Sequence, residues 1–379
     1  MAKILLKHGH LVIDGNKEYL DGALLINGES IEEVFVSSDN IKKDLGEYKE
    51  FDLKGKIVMP GFFDTHCHGC AGVDFNNANK KDIEKASLMF AKKGTTSFFT
   101  TLTNNSNFNN ELEVIGDYDG EYARNLGIHL EGPFISDKNS GVIKKEYIYP
   151  GEKDLLNKIL EKTKKIKQMT IAPEIDGSKQ IIKALKDNDI KVMFGHSGAK
   201  NDDLNDKDND GYTHLFNAMS GFHHRDIGLV NKAFTDEKYV EIIGDGFHID
   251  KSVLQVILKN IRRDRIILVS DAIKVAGLED GEFEFEGSVC VKKGLTSVRK
   301  SDGRIAGNAG FISNEIKIMY DLGAKLTDIL LMTSLNAYRF YGLDKRFGSL
   351  VKGKYGDIVI LDENLKVYKT YVRGKEVNA

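Results

Sequence analysis

Cysteine is scarce in this sequence: the 379 residues include only Cys67, Cys70 and Cys290. An odd and sparse set of cysteines does not suit a disulfide framework and favours a reducing compartment. Cys67 and Cys70 form a C-x-x-C pair, but a zinc knuckle needs a second pair of ligands, which the sequence lacks. We therefore expect a cytoplasmic protein without disulfides.

Long apolar runs and an excess of basic charge are also missing. No stretch approaches the ~20 apolar residues that cross a bilayer, and the apolar run near the N-terminus is too short for a signal peptide. The 54 lysines and arginines are balanced by 57 aspartates and glutamates, which gives a formal net charge of -3. Because nucleic-acid-binding proteins concentrate basic charge, the sequence predicts no membrane and no nucleic-acid partner. A small or acidic soluble ligand is compatible with this balance.

The pattern of hydrophobicity divides the chain into two predicted domains. Residues 1–57 and 345–379 contain short alternating segments separated by turn signals, a pattern typical of antiparallel strands. We expect the two chain ends to form one small β-sandwich domain. Residues 58–344 should form a larger catalytic domain, because a chain of this length suits one large domain with a smaller companion.

The central part alternates short apolar runs with longer amphipathic segments, as parallel strands and crossover helices do. Eight successive βα units predict an α/β fold, a closed (β/α)₈ TIM barrel, with a doubly wound open sheet as the alternative. Residues 281–304 break this rhythm and are interpreted as a β-hairpin inserted after the eighth strand. The eight apolar runs are 62–66, 97–101, 127–131, 169–173, 191–196, 212–216, 240–245 and 266–271.

Polar side chains cluster where these apolar runs end. A buried parallel strand should be apolar throughout, and the C-terminal strand ends of a barrel meet at one mouth, where active sites lie. His66 and His68 are two residues apart, so they point to the same face of a strand. The residues predicted to form one metal site are His66, His68, Glu131, His196, His214 and Asp271.

This set of side chains predicts a divalent metal ion. A single histidine near an apolar strand is more often a hydrogen-bonded core residue than a ligand, but four histidines with two carboxylates at strand ends reverse that expectation. Imidazole and carboxylate ligands without thiolates favour Zn²⁺, with Fe²⁺, Mn²⁺ or Co²⁺ as alternatives. His129 is interpreted as a packing or supporting residue. No G-x-S-x-G turn surrounds Ser197 or Ser270, so a serine hydrolase is set aside.

Several of these segments together resemble a known family. The specific ones are His-Leu-Glu-Gly-Pro-Phe at 129–134 and Thr-His-Leu-Phe-Asn-Ala-Met at 213–219, whereas the His-x-His at 66–68 indicates only a superfamily. On these segments the chain resembles the amidohydrolase superfamily and, within it, the N-acetylglucosamine-6-phosphate deacetylase family, over nearly its whole length. Further matching segments are 59–69, 172–174, 195–197, 244–248 and 268–272.

The resemblance implies a metal-dependent hydrolase that converts N-acetylglucosamine 6-phosphate to glucosamine 6-phosphate and acetate. In the family pattern Glu131, His196 and His214 hold one ion. His66 and His68 hold a second ion, and Glu131 is able to bridge the two. One or two ions per subunit are therefore expected.

The resemblance also implies the residues that act on the substrate. Asp271 matches the catalytic aspartate, and His248 matches a histidine that contacts the sugar. Asn217 and Ala218 match backbone contacts to the phosphate. Arg225 matches an arginine that binds the phosphate in a neighbouring subunit's site, which implies a homodimer.

Some positions depart from the family pattern. Ile143 stands where the family carries a histidine that touches the sugar, and residues 226–228, 306–308 and 336–338 also differ. These changes spare the predicted metal ligands and bear on the sugar that is bound. The alternatives are a related amidohydrolase acting on another N-acetyl-hexosamine phosphate, a cyclic amide or a deaminable base, and a non-catalytic metal-binding barrel. The retained Asp271 argues against a non-catalytic protein.

Overall fold

The computed structural model describes residues 3–378 apart from 42–43, 106–111, 114, 116–117, 119, 206–207 and 286. The strands are β1 Lys3–Asp14, β2 Lys17–Asn27, β3 Ser30–Phe35, β4 Tyr48–Asp52, β5 Ile57–Pro60, β6 Phe62–Asp64, β7 Gly69–Cys70, β8 Val73–Asp74, β9 Thr95–Thr103, β10 Arg124–Glu131, β11 Ile166–Ile171, β12 Lys191–Phe194, β13 Gly211–Tyr212, β14 Tyr239–Ile242, β15 Ile266–Leu268, β16 Gly281–Phe285, β17 Ser288–Lys293, β18 Thr296–Arg299, β19 Ile358–Leu361, β20 Val367–Val372 and β21 Lys375–Glu376. The α-helices are α1 Lys80–Lys92, α2 Lys153–Lys162, α3 Ser178–Asp187, α4 Leu229–Thr235, α5 Lys251–Asn260, α6 Ile312–Asp321, α7 Leu326–Leu330 and α8 Asn336–Phe340, with a π-helical turn at Leu331–Leu335.

The central part of the chain is a (β/α)₈ barrel, as the sequence predicted. Strands β6 and β9 to β15 form one parallel sheet whose order follows the chain without reversal, whereas a doubly wound sheet reverses its order at a switch point. Hydrogen bonds join the first and last strands at their ends. The Asp271 amide donates to the His66 carbonyl (2.9 Å), and the Ser270 amide donates to the Asp64 carboxylate (3.1 Å). The seam of the barrel thus passes through the predicted metal site.

Helix α1 shows how the outer layer is held on the barrel. Its N-cap Asn79 accepts hydrogen bonds from the amides of Lys81 and Asp82, and the Asp82 carboxylate accepts from the Asn79 amide. Such a capping box satisfies donors that a helix start leaves free. Phe90 of α1 packs on Phe98 of β9 with ring centroids 5.0 Å apart, and each buried phenylalanine contributes about 1.5–3 kcal/mol.

The two chain ends form a separate sheet, as predicted. Its order is β21-β20-β19-β5-β1-β2-β3, and β4 pairs with β1. Because the first half of β1 pairs with β4 and its second half pairs with β5, the sheet branches at β1. Leu6, Leu24, Val58 and Ile360 lie in its apolar core. The limits of this domain at residues 57 and 345 stay a prediction, and residues 1–2, 42–43 and 379 lie outside the described residues.

The insertion after β15 differs from the predicted hairpin because it contains a third strand. Strands β16, β17 and β18 pair antiparallel in succession, while residue 286 of the predicted segment lies outside the described residues. An isolated two-stranded hairpin is marginally stable. Here the third strand and the packing of Phe285 and Cys290 against Ile273 and Ala306 fix the insertion to the mouth of the barrel.

The three cysteines are buried in different parts of the fold. Cys67, Cys70 and Cys290 are buried and free of disulfides. The Cys67 thiol donates to the Phe99 carbonyl at 3.2 Å and therefore has a packing role. Among the described residues, no helix is both long enough and apolar enough to span a membrane.

Candidate active site

The six predicted metal ligands converge at the mouth of the barrel. Glu131 is the last residue of β10, and the other five residues follow their strands within a few positions. The ligand atoms of five of them form two overlapping groups, and within each group the atoms lie within 4.8 Å of one another. The groups are His66, Glu131 and His214, and His66, His68 and Asp271.

Glu131 occupies the centre of this arrangement. Its Oε1 lies 3.0 Å from the Nε2 atoms of both His196 and His214 and 3.3 Å from Nε2 of His66. Its Oε2 lies 3.3 Å from Nε2 of His68. The two oxygens of one carboxylate therefore face different imidazoles, which is the geometry required of a carboxylate that bridges two ions.

Asp271 lies opposite Glu131, on the side of His66 and His68. Its Oδ1 is 3.4 Å from the Nε2 atom of each of these two histidines. The Asp271 carbonyl accepts from the Asn308 amide (3.0 Å), and the Asn308 side chain donates to the Ser270 carbonyl (2.9 Å). Asn308, one of the departures from the family pattern, thus anchors the backbone that carries Asp271.

The donor atoms of the cluster fit a divalent cation. The Nδ1–H of His196 donates to the Asn139 carbonyl (2.8 Å), and the Nδ1–H of His66 donates to Glu241 (3.3 Å). The Nε2 atom of each neutral ring then carries a lone pair. The Nε2 atoms of His196 and His214 are only 3.1 Å apart, and both face a carboxylate oxygen. Such atoms repel unless a cation lies between them, and metal-binding histidines are held through their second nitrogen in this way.

The electrostatic field of the cluster favours positive charge. Burial lowers the pKa of His68, but its hydrogen bonds with Asp271 and Glu131 outweigh burial and raise this pKa to about 9. Burial likewise raises the pKa of Glu131, yet the nearby His196 and His66 hold it well below its ordinary value. Carboxylates that draw protons onto imidazoles attract a divalent cation for the same reason.

Three of the predicted ligands have an uncommon backbone conformation. The φ angles of His196, His214 and Asp271 are 47°, 24° and 49°, and a left-handed residue other than glycine costs about 1–3 kcal/mol. Surrounding hydrogen bonds hold this conformation: the Ser136 amide donates to the His196 carbonyl (2.9 Å) and the Asn217 amide to the His214 carbonyl (3.0 Å). Strain that is concentrated on these residues points to a functional requirement.

A cavity of about 240 Å³ opens above the cluster. Asn217 and Ala218 line it after β13, and His248 lines it after β14. The Nδ1–H of His248 donates to Asp245 (2.7 Å), and its Nε2 has no partner among the described residues. The apolar residues that line the cavity are Val142, Ile143, Ile273, Phe285, Ile305 and Ala306.

Arg225 is predicted to bind the phosphate, and Ile143 replaces a family histidine that touches the sugar. Ile143 is buried in the cavity wall, where it presents only hydrocarbon to a ligand. Arg225 is exposed and is not among the described residues that line the cavity of its own chain. The structure therefore brings together every predicted site residue except Arg225.

Glu241 is a functional residue that the sequence analysis missed. It is fully buried in β14 and accepts hydrogen bonds from the imidazole of His66 (3.3 Å), the Thr65 hydroxyl (3.2 Å) and the Gln168 amide (2.9 Å). A glutamate inside an otherwise apolar parallel strand was a usable signal. Buried carboxylates require partners, and here one of those partners is a predicted metal ligand.

Other supporting residues gave weaker signals in the sequence. His129 hydrogen-bonds with the hydroxyls of Thr101 (3.3 Å) and Thr170 (2.8 Å) beneath His66, which agrees with its predicted supporting role. Asp74 and Thr103 line the cavity as the last residues of β8 and β9, in segments with no distinctive pattern. Only the folded chain reveals that they face the site.

Comparison with known proteins places the chain among metal-dependent hydrolases. Residues 57–377 match the model of the amidohydrolase family. The chain is 32% identical to an N-acetylglucosamine-6-phosphate deacetylase of Bacillus subtilis, an alignment that covers 99% of this chain and 97% of that protein. It is 31% identical to an N-acetylgalactosamine-6-phosphate deacetylase of Escherichia coli O157:H7, over 84% of this chain and 87% of that protein.

Solved structures agree with this placement. An N-acetylglucosamine-6-phosphate deacetylase from Pasteurella multocida superposes with a TM-score of 0.90 at 25% identity, covering 99% of both chains. One from Thermotoga maritima superposes with a TM-score of 0.84 at 28% identity, again over 99% of both chains. The chain therefore belongs to the amidohydrolase family and, within it, to the N-acetylglucosamine-6-phosphate deacetylases.

Proposed function

We propose that this chain hydrolyses the acetamide of N-acetylglucosamine 6-phosphate to give glucosamine 6-phosphate and acetate. The observation that carries the proposal is the convergence of the Glu131 carboxylate with the Nε2 atoms of His66, His196 and His214 on the floor of a cavity. An acetamide is a poor electrophile, so its hydrolysis requires both an activated nucleophile and a stabilised oxyanion. The activity named for the relatives supports the choice of substrate.

The positions of the imidazoles around Glu131 divide the metal ligands into two sets. Glu131, His196 and His214 would hold one divalent ion, and His66 and His68, together with Glu131, would hold a second one. A bound ion supplies Lewis acidity, since it lowers the pKa of water toward ~7 and polarises a carbonyl oxygen. Zn²⁺ suits these donors best, with Fe²⁺, Mn²⁺ or Co²⁺ as alternatives.

Asp271 carries the proton in this scheme. Its carboxylate, held at the cluster by the anchored backbone, accepts a proton from the attacking water and then donates that proton to the departing amine. His248, whose ring is fixed by Asp245, orients the sugar in the cavity. This division leaves one residue to move the proton and another to hold the substrate.

The phosphate is assigned to the far end of the cavity. Backbone groups of Asn217 and Ala218 contact it, and Arg225 of a neighbouring subunit pairs with it through charge-assisted hydrogen bonds. The exposed position of Arg225 on its own chain supports action in a second copy. A homodimer follows from this assignment, and a cytoplasmic location remains a prediction from the sparse cysteines.

Removal of the metal should abolish activity without unfolding the protein. We expect dialysis against a chelator to stop acetate release and readdition of Zn²⁺ to restore it. Glu131→Gln should retain little metal when the purified protein is analysed by mass spectrometry, because both proposed ions depend on this carboxylate. The exposed Glu363→Gln is the control and should keep full metal content. Turnover at the full rate by metal-free protein would refute the proposed role of the ions.

Asp271→Asn should lower kcat by ~10²- to 10⁴-fold, the usual contribution of general acid–base catalysis. The amide keeps the shape of the carboxylate but accepts no proton at neutral pH. Metal content should remain near that of the wild type, because Glu131, His196 and His214 are unchanged. Steady-state kinetics together with metal analysis checks both expectations. Near-normal kcat would assign proton transfer to another residue, with His248 the first to test.

Arg225→Ala should raise KM for the phosphorylated substrate by roughly 10- to 150-fold, the range for loss of a hydrogen bond to a charged group. Activity on unphosphorylated N-acetylglucosamine should hardly change, and the exposed Arg304→Ala serves as control. Action in a neighbouring subunit is tested by mixing inactive Asp271→Asn chains with Arg225→Ala chains. Recovered activity at low substrate supports the dimer, since only mixed dimers contain one complete site. No recovery in verified mixed dimers would place Arg225 in its own site or outside the reaction.

The apolar side chain of Ile143 should make the enzyme tolerant of the sugar epimer. A wall that offers no polar partner rejects a misplaced hydroxyl only weakly. We therefore expect kcat/KM for the 6-phosphates of N-acetylglucosamine, N-acetylgalactosamine and N-acetylmannosamine to agree within about tenfold. Ile143→His should widen these differences. Strict discrimination by the wild type would show that a different residue binds the hydroxyl in question.

A further inference from the structure

Glu315 lies on the buried face of α6, where a helix that packs on a barrel normally carries apolar side chains. Ile312, Glu315, Ile316 and Met319 have the spacing of one helix face, and all four are buried. Glu315 is 0% exposed. Among the residues that the structure describes, no hydrogen-bond donor is placed to bind either of its carboxyl oxygens. The roles assigned above leave this side chain without a purpose.

The surroundings of Glu315 favour the neutral acid over the carboxylate. Burial raises the pKa of Glu315 well above its ordinary value, and the negative charges of Asp245, Asp64 and Asp271 raise it further. The nearby amide of Gly244 opposes this rise but does not reach hydrogen-bonding geometry. A buried carboxyl group that lacks donors binds a proton rather than remaining charged. Glu315 is then a hydrogen-bond donor and requires an acceptor.

The carboxyl group of Glu315 lies against the segment that carries Asp245 and His248. Its Oε2 is 3.1 Å from the point where a side chain at residue 244 would place its Cβ atom, and the Cβ of Glu315 is 3.3 Å from the same point. Glycine at position 244 therefore makes room for the buried acid. Asp245 follows directly in the chain, and it is the charged group with the largest effect on Glu315.

Asp245 can accept one more hydrogen bond than it receives from its own segment. Its Oδ1 accepts from the amides of Phe247 and His248 (both 2.8 Å), and its Oδ2 accepts from the Nδ1–H of His248 (2.7 Å). A carboxylate offers about four acceptor positions, two on each oxygen, so one position on Oδ2 is left. The side chain of Asp245 is only 3% exposed, which favours a donor from inside the protein.

We propose that Glu315 is a positioning residue, which as a neutral acid donates its proton in a hydrogen bond to Oδ2 of Asp245. This bond fixes the carboxylate that holds the ring of His248, and its effect on the reaction rests on the proposed function, in which His248 orients the sugar. A hydrogen bond to an ionised acceptor is stronger than one between neutral groups. Glu315 acts only through Asp245, since it is not among the residues that line the cavity.

The proton on Glu315 can be observed without any substrate. We expect the infrared difference spectrum between the wild type and Glu315→Gln at neutral pH to contain the carbonyl band of a protonated carboxylic acid. Glu161→Gln is the matched control, because Glu161 also lies in a helix but is exposed. It should yield only the bands of an ionised carboxylate. The same result for Glu315 would overturn the proposal.

Two substitutions separate a positioning role from a structural one. Glu315→Gln keeps the shape and a donor, so its KM for N-acetylglucosamine 6-phosphate should remain near that of the wild type. Glu315→Leu fills the space without a donor and should raise this KM by roughly 10- to 150-fold, the range for loss of a hydrogen bond to a charged group. The metal content of both variants should equal that of the wild type, because the proposed ligands are unchanged.

A structural role predicts the opposite order of the two variants, since a buried leucine needs no hydrogen-bond partner whereas a buried glutamine does. Equal activity of the variants, whether retained or lost, would therefore refute the positioning role. If Glu315→Leu does not fold, the infrared band still decides whether Glu315 carries the proton. Absence of acetate release by the wild type would refute the proposed function, and the infrared measurement would remain a test of Glu315.

Discussion

The Glu131 carboxylate, which has the Nε2 atoms of four imidazoles within 3.3 Å, is the interaction on which the rest of the site depends. Lone pairs that converge on a buried carboxylate repel one another, and a cation between them would remove that repulsion. Two of the rings that supply them are held by their other nitrogen. Asn139 does so for His196 and Glu241 for His66. The Asn139 carbonyl and the buried Glu241 carboxylate thus have the same role, which is to orient an imidazole of the cluster.

The hydrogen bonds that orient the imidazoles continue into the interior of the barrel. Glu241 would be costly in an apolar strand, but it accepts from Thr65 and Gln168 as well as from His66. A second layer joins His129 to the hydroxyls of Thr101 and Thr170. A buried polar network is stable only when its members are satisfied. The polar side chains named in these two layers each have hydrogen-bond partners, and these bonds fix the orientation of His66 above them.

The sequence predicted the barrel and the six metal-site residues for one physical reason: buried parallel strands are apolar, so a polar residue at a strand end stands out. The same rule would have identified Glu241, but a glutamate in the middle of an apolar run, rather than at its end, was not considered as a site residue. The third strand of the insertion was missed because alternating apolar and polar residues indicate a β-structure without showing how many strands it contains. Asp74 and Thr103 could not have been identified, since the cavity that they line forms only when the chain folds.

The division between strand ends and loops explains how the family varies its substrates. The proposed ligands lie at or just beyond strand ends, whereas the cavity walls come from loops and the insertion, including Asp74, Ile143 and Phe285. A change in a wall leaves the distances around Glu131 intact. Relatives named for different amino sugars resemble this chain almost equally, at 32% and 31% identity, so overall identity does not select the sugar. We therefore expect the selection to come from wall residues, and this chain has Ile143 among them.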